Sequence, residues 1–246
     1  MPTIRWTDVM AFLPELLRGA RYTVTLTFVI MAISIVAGVL VALARMSRYR
    51  VLRMPMVAYV EFIRGTPGLM QLYYIFYVFP FFGLTLPAIA AGIIGLSINY
   101  TAYLSEVYRA GIASIPMAQT EAAESLGLSY WQSMRLVILP QAARIVLPPT
   151  VNYLLSLFKD TSLLSLITIQ ELMFTGILLG ATTYKYFTIF TEVAILYFII
   201  CYPLTILASW LERRMNASFT GPPGGSTGFW RPRAWMPIAP AGKPGV

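Results

Sequence analysis

Residues 116–140 read PMAQTEAAESLGLSYWQSMRLVILP, and they stand apart from everything around them. Glu121, Glu124, Ser125, Ser129, Gln132, Ser133 and Arg135 interrupt a chain that is otherwise apolar. Pro116 suits the start of a helix, where its missing N–H is not needed. Met117 to Leu126 are good helix formers. Ala122 and Ala123 are small enough to let a partner approach closely. Gly127 ends the first helix in the manner of glycine just past a C-terminus. Ser129 with Gln132 forms a capping box that opens a second helix, expected to run to about Leu139 and to stop before Pro140. Two short helices joined at a glycine are thus written locally, between long apolar runs.

Outward from this hairpin the chain belongs in lipid. Of 246 residues, 58% are hydrophobic and 11% are charged, against roughly 25% charged in a soluble domain. Tyr22 to Ala44 carries no charge over 23 residues, about 34 Å of helix, enough for a hydrocarbon core of about 30 Å. Gly65 to Ser105 is uncharged for 41 residues, twice what one span needs. Pro80, Gly83 and Pro87 divide it into spans over about 66–82 and 87–110. A fourth span is expected from Ile145 through Phe158, Lys159 and Asp160 to Gln170, disturbed by Pro148 and Pro149. The fifth is Tyr186 to Leu211, with Glu192 as its one charge. The expected fold is therefore an all-α integral membrane protein of about five transmembrane helices. Residues 1–20, with Trp6, Phe12 and Leu16, suggest a separate interfacial segment, without the pattern of a cleavable leader. Residues 21–215 form the membrane domain, and the Pro/Gly-rich tail, 216–246, is expected to be disordered.

Charge sets the direction. With the N-terminus outside, Arg45, Arg48, Arg50, Arg53, Arg64, Arg109, Arg135, Arg144, Arg213, Arg214, Arg231, Arg233 and Lys243 all fall inside. Arg5, Arg18, Arg21, Lys159 and Lys185 fall outside. Basic residues concentrate on cytoplasmic loops, so N-out and C-in is expected, with the hairpin in the cytoplasm. The same reasoning removes nucleic acid as the explanation of the net charge of +8. With no histidine and the single Cys201, neither a metal cluster nor an intrachain disulfide is expected.

Glu121-Ala-Ala, then Gly127, then Val137, Leu139 and Pro140 resembles the EAA loop of the membrane subunits of ATP-binding cassette importers. The family pattern has Ile where Val137 stands. Arg64-Gly65-Thr66-Pro67 followed by Gln71, and Lys159-Asp160-Thr161-Ser162-Leu163, are similar to segments of the polar amino acid uptake permeases, the histidine, glutamine, glutamate, arginine and opine group. The resemblance covers about residues 15–215. It implies a type I importer permease architecture. The hairpin would be the coupling helix, set in a groove of a cytoplasmic cassette ATPase dimer. Glu121 would be the charged contact, Gly127 the bend, and Ala122 and Ala123 the packing face, with Leu139 and Pro140 closing the loop. It implies further partners: an extracytoplasmic solute-binding protein, a second permease subunit that is a copy or a paralogue, and the amino acid substrate. No cofactor is implied and no covalent chemistry. The chain lacks a G-x-x-x-x-G-K-[ST] phosphate loop, and its Gly-Lys pair, Gly242-Lys243, precedes proline.

Polar groups within the spans are candidates for the pathway, because they are costly in lipid. Asn99, Asn152, Asp160 and Glu192 form that set. Asn99 and Asn152 equally suit interhelical hydrogen bonds. Asp160 equally suits the cap of a helix beginning at Ser162. Glu106 and Glu61 stand three residues before Arg109 and Arg64, a spacing that predicts local ion pairs. The aromatic crowd from Tyr73 to Phe82 reads mainly as belt and packing. With Glu192 and Asp160 it would also suit a cationic substrate. The reading is a permease subunit of an ATP-driven importer for a polar amino acid. The alternatives are an ion-coupled secondary amino acid transporter and a related cassette permease for another small polar solute.

Overall fold

A computed structural model describes residues 6–216, and among these the regular structure is entirely helical. Helix α1 runs Trp6–Met46 and α2 runs Arg50–Arg64. Helix α3, Gly68–Tyr73, passes into a π turn, Tyr74–Val78, and a 3-10 turn, Phe79–Phe82. Helix α4 is Ala88–Ala113, α5 Met117–Ser125 and α6 Tyr130–Ser133. A π turn, Met134–Ile138, leads into α7, Leu139–Asp160. A 3-10 turn, Thr161–Ile167, precedes α8, Leu172–Thr183, and α9, Tyr186–Asn216.

The spans expected over 66–82 and 87–110 match the observed elements to within a few residues. Pro87 stands just outside α4, and Gly83 ends the 3-10 turn at φ +82°. Among the described residues three helices are long and apolar enough to cross a membrane: Val9–Met46, Ala88–Ala113 and Tyr186–Met215. A bent pair, Tyr130–Ile167 with Leu172–Thr183, makes a fourth if it counts as one broken span, turning by 48°. Gly68–Phe82 is apolar but shorter, about 22 Å at 1.5 Å per residue.

Three local expectations change. No boundary exists near residue 20, because α1 continues through it. Phe12, Leu16 and Ala20 lie one above another at i, i+4, and they find a partner: Leu16 is fully buried with Leu172, Ile189 and Val193. Residues 1–5 and the tail from 217 lie outside the described residues. The second helix of the hairpin does not stop before Pro140. The π turn carries the chain through, with Leu139 N bonded to Met134 O, five residues back. That widening accommodates the proline ring, which would otherwise crowd the preceding turn. The fourth span does not continue to Gln170. The α-helix ends at Asp160, a 3-10 turn carries the chain to Ile167, the backbone passes through a left-handed residue at Thr168 (φ +64°), and α8 follows, a helix the sequence pattern did not announce.

Glu171 caps α8. Its carboxylate is fully buried and accepts from Met173 N (2.9 Å), Phe174 N (2.7 Å), Thr23 Oγ1 (3.3 Å) and Tyr197 Oη (2.9 Å). One acid thereby ties α1, α8 and α9. The main core lies between α1, α4 and α7, around Ile30, Leu72, Leu96, Leu104, Leu157 and Leu164.

Candidate functional site

Two places answer to the candidate residues, and both are built on α4 and α7. The first is the hairpin that joins them. Its bend closes as a Schellman motif: Leu128 N donates to Ala123 O (3.1 Å) and Gly127 N to Glu124 O (2.8 Å). Gly127 sits at φ +76°, and a Cβ built on it would meet nothing within 4 Å. Glycine is required there for backbone conformation and not for space. The Gln132 half of the capping box is made, with Ser129 N donating to Gln132 Oε1 at 2.8 Å. Glu121 and Ala122 face outward, whereas Ala123 is 3% exposed and packs inward. The two alanines therefore do not share a face. Leu139 and Pro140 are exposed at the start of α7.

The root of the hairpin is rigid. Ile115, Ile138 and Ala142 bury one another, with Ile112, Met134 and Ile145 around them. Just above, α4 and α7 touch so closely that a Cβ on Gly111 would fall 2.1 Å from Val146 Cγ1. Only glycine permits that approach.

The second place is a cavity of about 400 Å³ between α3, α4 and α7. Pro67, Gly68, Asn99, Tyr100, Tyr103, Tyr153, Ser156 and Asp160 line it. Asp160 Oδ2 accepts from Tyr100 Oη at 2.7 Å, so the carboxylate serves the cavity and does not cap the following turn. Tyr153 meets Tyr100 edge-on at 6.3 Å and Tyr103 at 5.8 Å between ring centres. Arg64 lies 6.0 Å over the Tyr103 ring. A carboxylate, three phenols and an amide thus face one space, with the Arg64 guanidinium over one of the rings, a set suited to a ligand carrying both ammonium and carboxylate.

The segment Arg64-Gly65-Thr66-Pro67 reaches the rim of this cavity at Pro67, and Gln71 locks it. Gln71 Nε2 donates to Thr66 Oγ1 (2.8 Å) and Ile63 O (2.8 Å), while Gln71 Oε1 accepts from Asn99 Nδ2 (2.9 Å). A Cβ on Gly68 would come within 3.3 Å of Asn99 Nδ2. Below the rim, Glu106 gathers three arginines. Arg45 Nη1 is 2.6 Å away, Arg64 Nη1 3.9 Å, and Arg109 pairs with the other oxygen. The expected Glu106–Arg109 pair is present, but Arg64 turns to Glu106 instead of Glu61.

The remaining candidates lie elsewhere. Asn152 Nδ2 donates to Glu212 Oε1 at 2.8 Å and links α7 to α9. Glu192 is buried on α9, next to Val193 of the cluster around Leu16, and is not among the residues lining the cavity. Lys159 faces Met173, Phe190 and Tyr197 on the α8–α9 side, and Thr161 is buried with its hydroxyl on Phe158 O (2.7 Å). Gln71 was visible in the sequence only as part of a family segment. Tyr100, Tyr103, Tyr153 and Ser156 carried no signal of their own, since single tyrosines in an aromatic-rich span read as packing.

Residues 6–217 match the family described as binding-protein-dependent transport system inner membrane component. Over 201 residues the chain is 41% identical to a probable amino-acid ABC transporter permease protein, YckA, of Bacillus subtilis, covering 82% of this chain and 89% of that one. It is 41% identical to the L-cystine transport system permease protein TcyB of the same organism, over 84% and 88% of the two chains. Among solved structures, a crystal structure of an amino acid ABC transporter with histidines superposes with a TM-score of 0.81 at 34% identity. That match covers 86% of this chain and 99% of that one.

Proposed function

The chain belongs to the family of binding-protein-dependent transport system inner membrane components, and from that premise we propose that it forms the transmembrane pathway of an ATP-driven importer for a polar amino acid. As a permease subunit it hydrolyses no ATP. A separate cassette ATPase, an extracytoplasmic binding protein and a second permease subunit complete the machine. The spans run N-out to C-in, and the hairpin lies in the cytoplasm against the ATPase.

One observation carries this reading: the two helices that wall the cavity, α4 and α7, are the two that the hairpin joins. Asn99, Tyr100 and Tyr103 stand on α4, and Tyr153, Ser156 and Asp160 on α7. From Leu139 to Asp160, α7 is one helix of 22 residues, about 33 Å long. A push on Glu121 and Ala122 therefore reaches both walls through the packed root at Gly111 and Val146. Nucleotide-driven movement of the hairpin biases the walls between two arrangements, which is how binding energy at one site becomes access at another. Asp160 holds the substrate ammonium, and Asn99 with Arg64 faces its carboxylate. The choice among polar amino acids then rests on the tyrosines, whose faces favour a cationic side chain.

The test is uptake of labelled amino acids into proteoliposomes holding the chain, its ATPase and its binding protein. Uptake is expected only with ATP inside and the binding protein outside. Uptake driven by an ion gradient without nucleotide would overturn the proposal in favour of a secondary transporter.

A further inference from the structure

The geometry points to a binding slot for an anionic phospholipid between α1, α7 and the second helix of the hairpin. Two cavities join there. One, of about 450 Å³, is lined almost wholly by apolar side chains, among them Ile35, Val39 and Leu43 of α1 and Ala143, Val146 and Leu147 of α7. The other, of about 1070 Å³, holds Arg48, Ser47 and Met56 together with Tyr130, Trp131 and Met134 of the hairpin. Leu43 and Ile112 line both, so the two adjoin and together make up the slot. From Ile35 to Arg48 it follows α1 for about 20 Å, more than half of a hydrocarbon core of about 30 Å.

The ends of the slot differ in chemistry, and the difference matches a phospholipid. The deep end offers chain-like apolar walls. The shallow end offers Trp131, 77% exposed, and Tyr130, the residue types that sit at headgroup level. Arg48 lines this end with them, and it belongs to a stretch that carries Arg45, Arg48, Arg50 and Arg53 with no acid between positions 45 and 60. Ion pairs among the described residues use Arg45, Arg64 and Arg109 and leave Arg48, Arg50 and Arg53 without a carboxylate. Arg48 is held in place, donating to Tyr49 Oη at 2.7 Å with its guanidinium 4.9 Å over that ring. Exposed positive charge at headgroup depth attracts the phosphate of an anionic lipid. The α5 face, with Glu121 and Ala122, stays clear of the slot and free for the ATPase. Assigning the lipid to the cytoplasmic leaflet rests on the orientation proposed above; the slot and its charge do not.

The full chain, purified in mild detergent and offered phosphatidylglycerol or phosphatidylcholine, is to be examined by native mass spectrometry. Phosphatidylglycerol is expected to be retained preferentially. Arg48→Gln should cut that preference about fivefold while leaving phosphatidylcholine retention unchanged. Ala143→Trp, at an exposed slot position, should reduce retention of both lipids. Equal retention of the two lipids by the unaltered chain would overturn the proposal. So would full phosphatidylglycerol retention by Ala143→Trp, or a change in oligomeric mass in that variant without loss of lipid, which would assign the slot to a second copy. The readout needs no transport, so a chain that retains lipid but moves no amino acid with ATP would refute the importer reading alone.

Discussion

The hairpin and the cavity share two helices but are made in opposite ways. In the hairpin, the bonds that set the bend are local: Leu128 to Ala123, Gly127 to Glu124, Ser129 to Gln132. In the cavity, the bonds that set the shape cross the chain: Asn99 to Gln71, 28 residues apart, and Tyr100 to Asp160, 60 apart. An element that receives force at a surface has few neighbours to hold it, so it must hold itself. A substrate site must change shape between states, and walls contributed by separate helices allow that.

The comparison breaks most sharply at Gly127. Gly127→Pro forces φ to about −65° where +76° is observed. ATP-driven uptake should fall to background while membrane insertion and cavity binding of the amino acid persist. Loss of both would mean that the hairpin is not separable from the cavity. The next largest effect is expected at Asp160. Asp160→Asn removes the charge but keeps the shape, and a charged hydrogen bond contributes about 1.5–3 kcal/mol. The KM for transport should rise roughly tenfold to hundredfold with ATPase coupling intact. The smallest is again at the bend. Gly127→Ala should weaken the turn by about 1 kcal/mol, read as faster hydrogen exchange at the Leu128 amide. Gly127→Asn should restore protection, since asparagine visits the left-handed region.

The same division explains what the sequence made legible. Pro116, Gly127 and the Ser129–Gln132 box declared the hairpin, and Pro80, Gly83 and Pro87 declared the turn before α4, because caps and breakers act within a few residues. The second helix was misjudged at Pro140, where a π turn absorbs the proline. Asp160 was expected either to cap or to serve the pathway, and only the position of Tyr100 decides between them. Glu171 is not among the residue types that mark an N-cap, and its partners Thr23 and Tyr197 lie 148 and 26 residues away. Asn152 and Glu192 drew attention as polar groups in spans and proved to lie off the cavity. Burial of a polar residue marks a need for partners, and it does not say which space the residue faces.

The claim that joins these regions is that a cytosolic ATPase acts on Glu121 and its neighbours. It is tested most directly by placing a single cysteine at position 121, with Cys201→Ser, and labelling with a membrane-impermeant maleimide. Labelling is predicted in inverted vesicles only, with protection when the cognate ATPase is bound. Labelling in right-side-out vesicles, with the ATPase unable to protect, would contradict it.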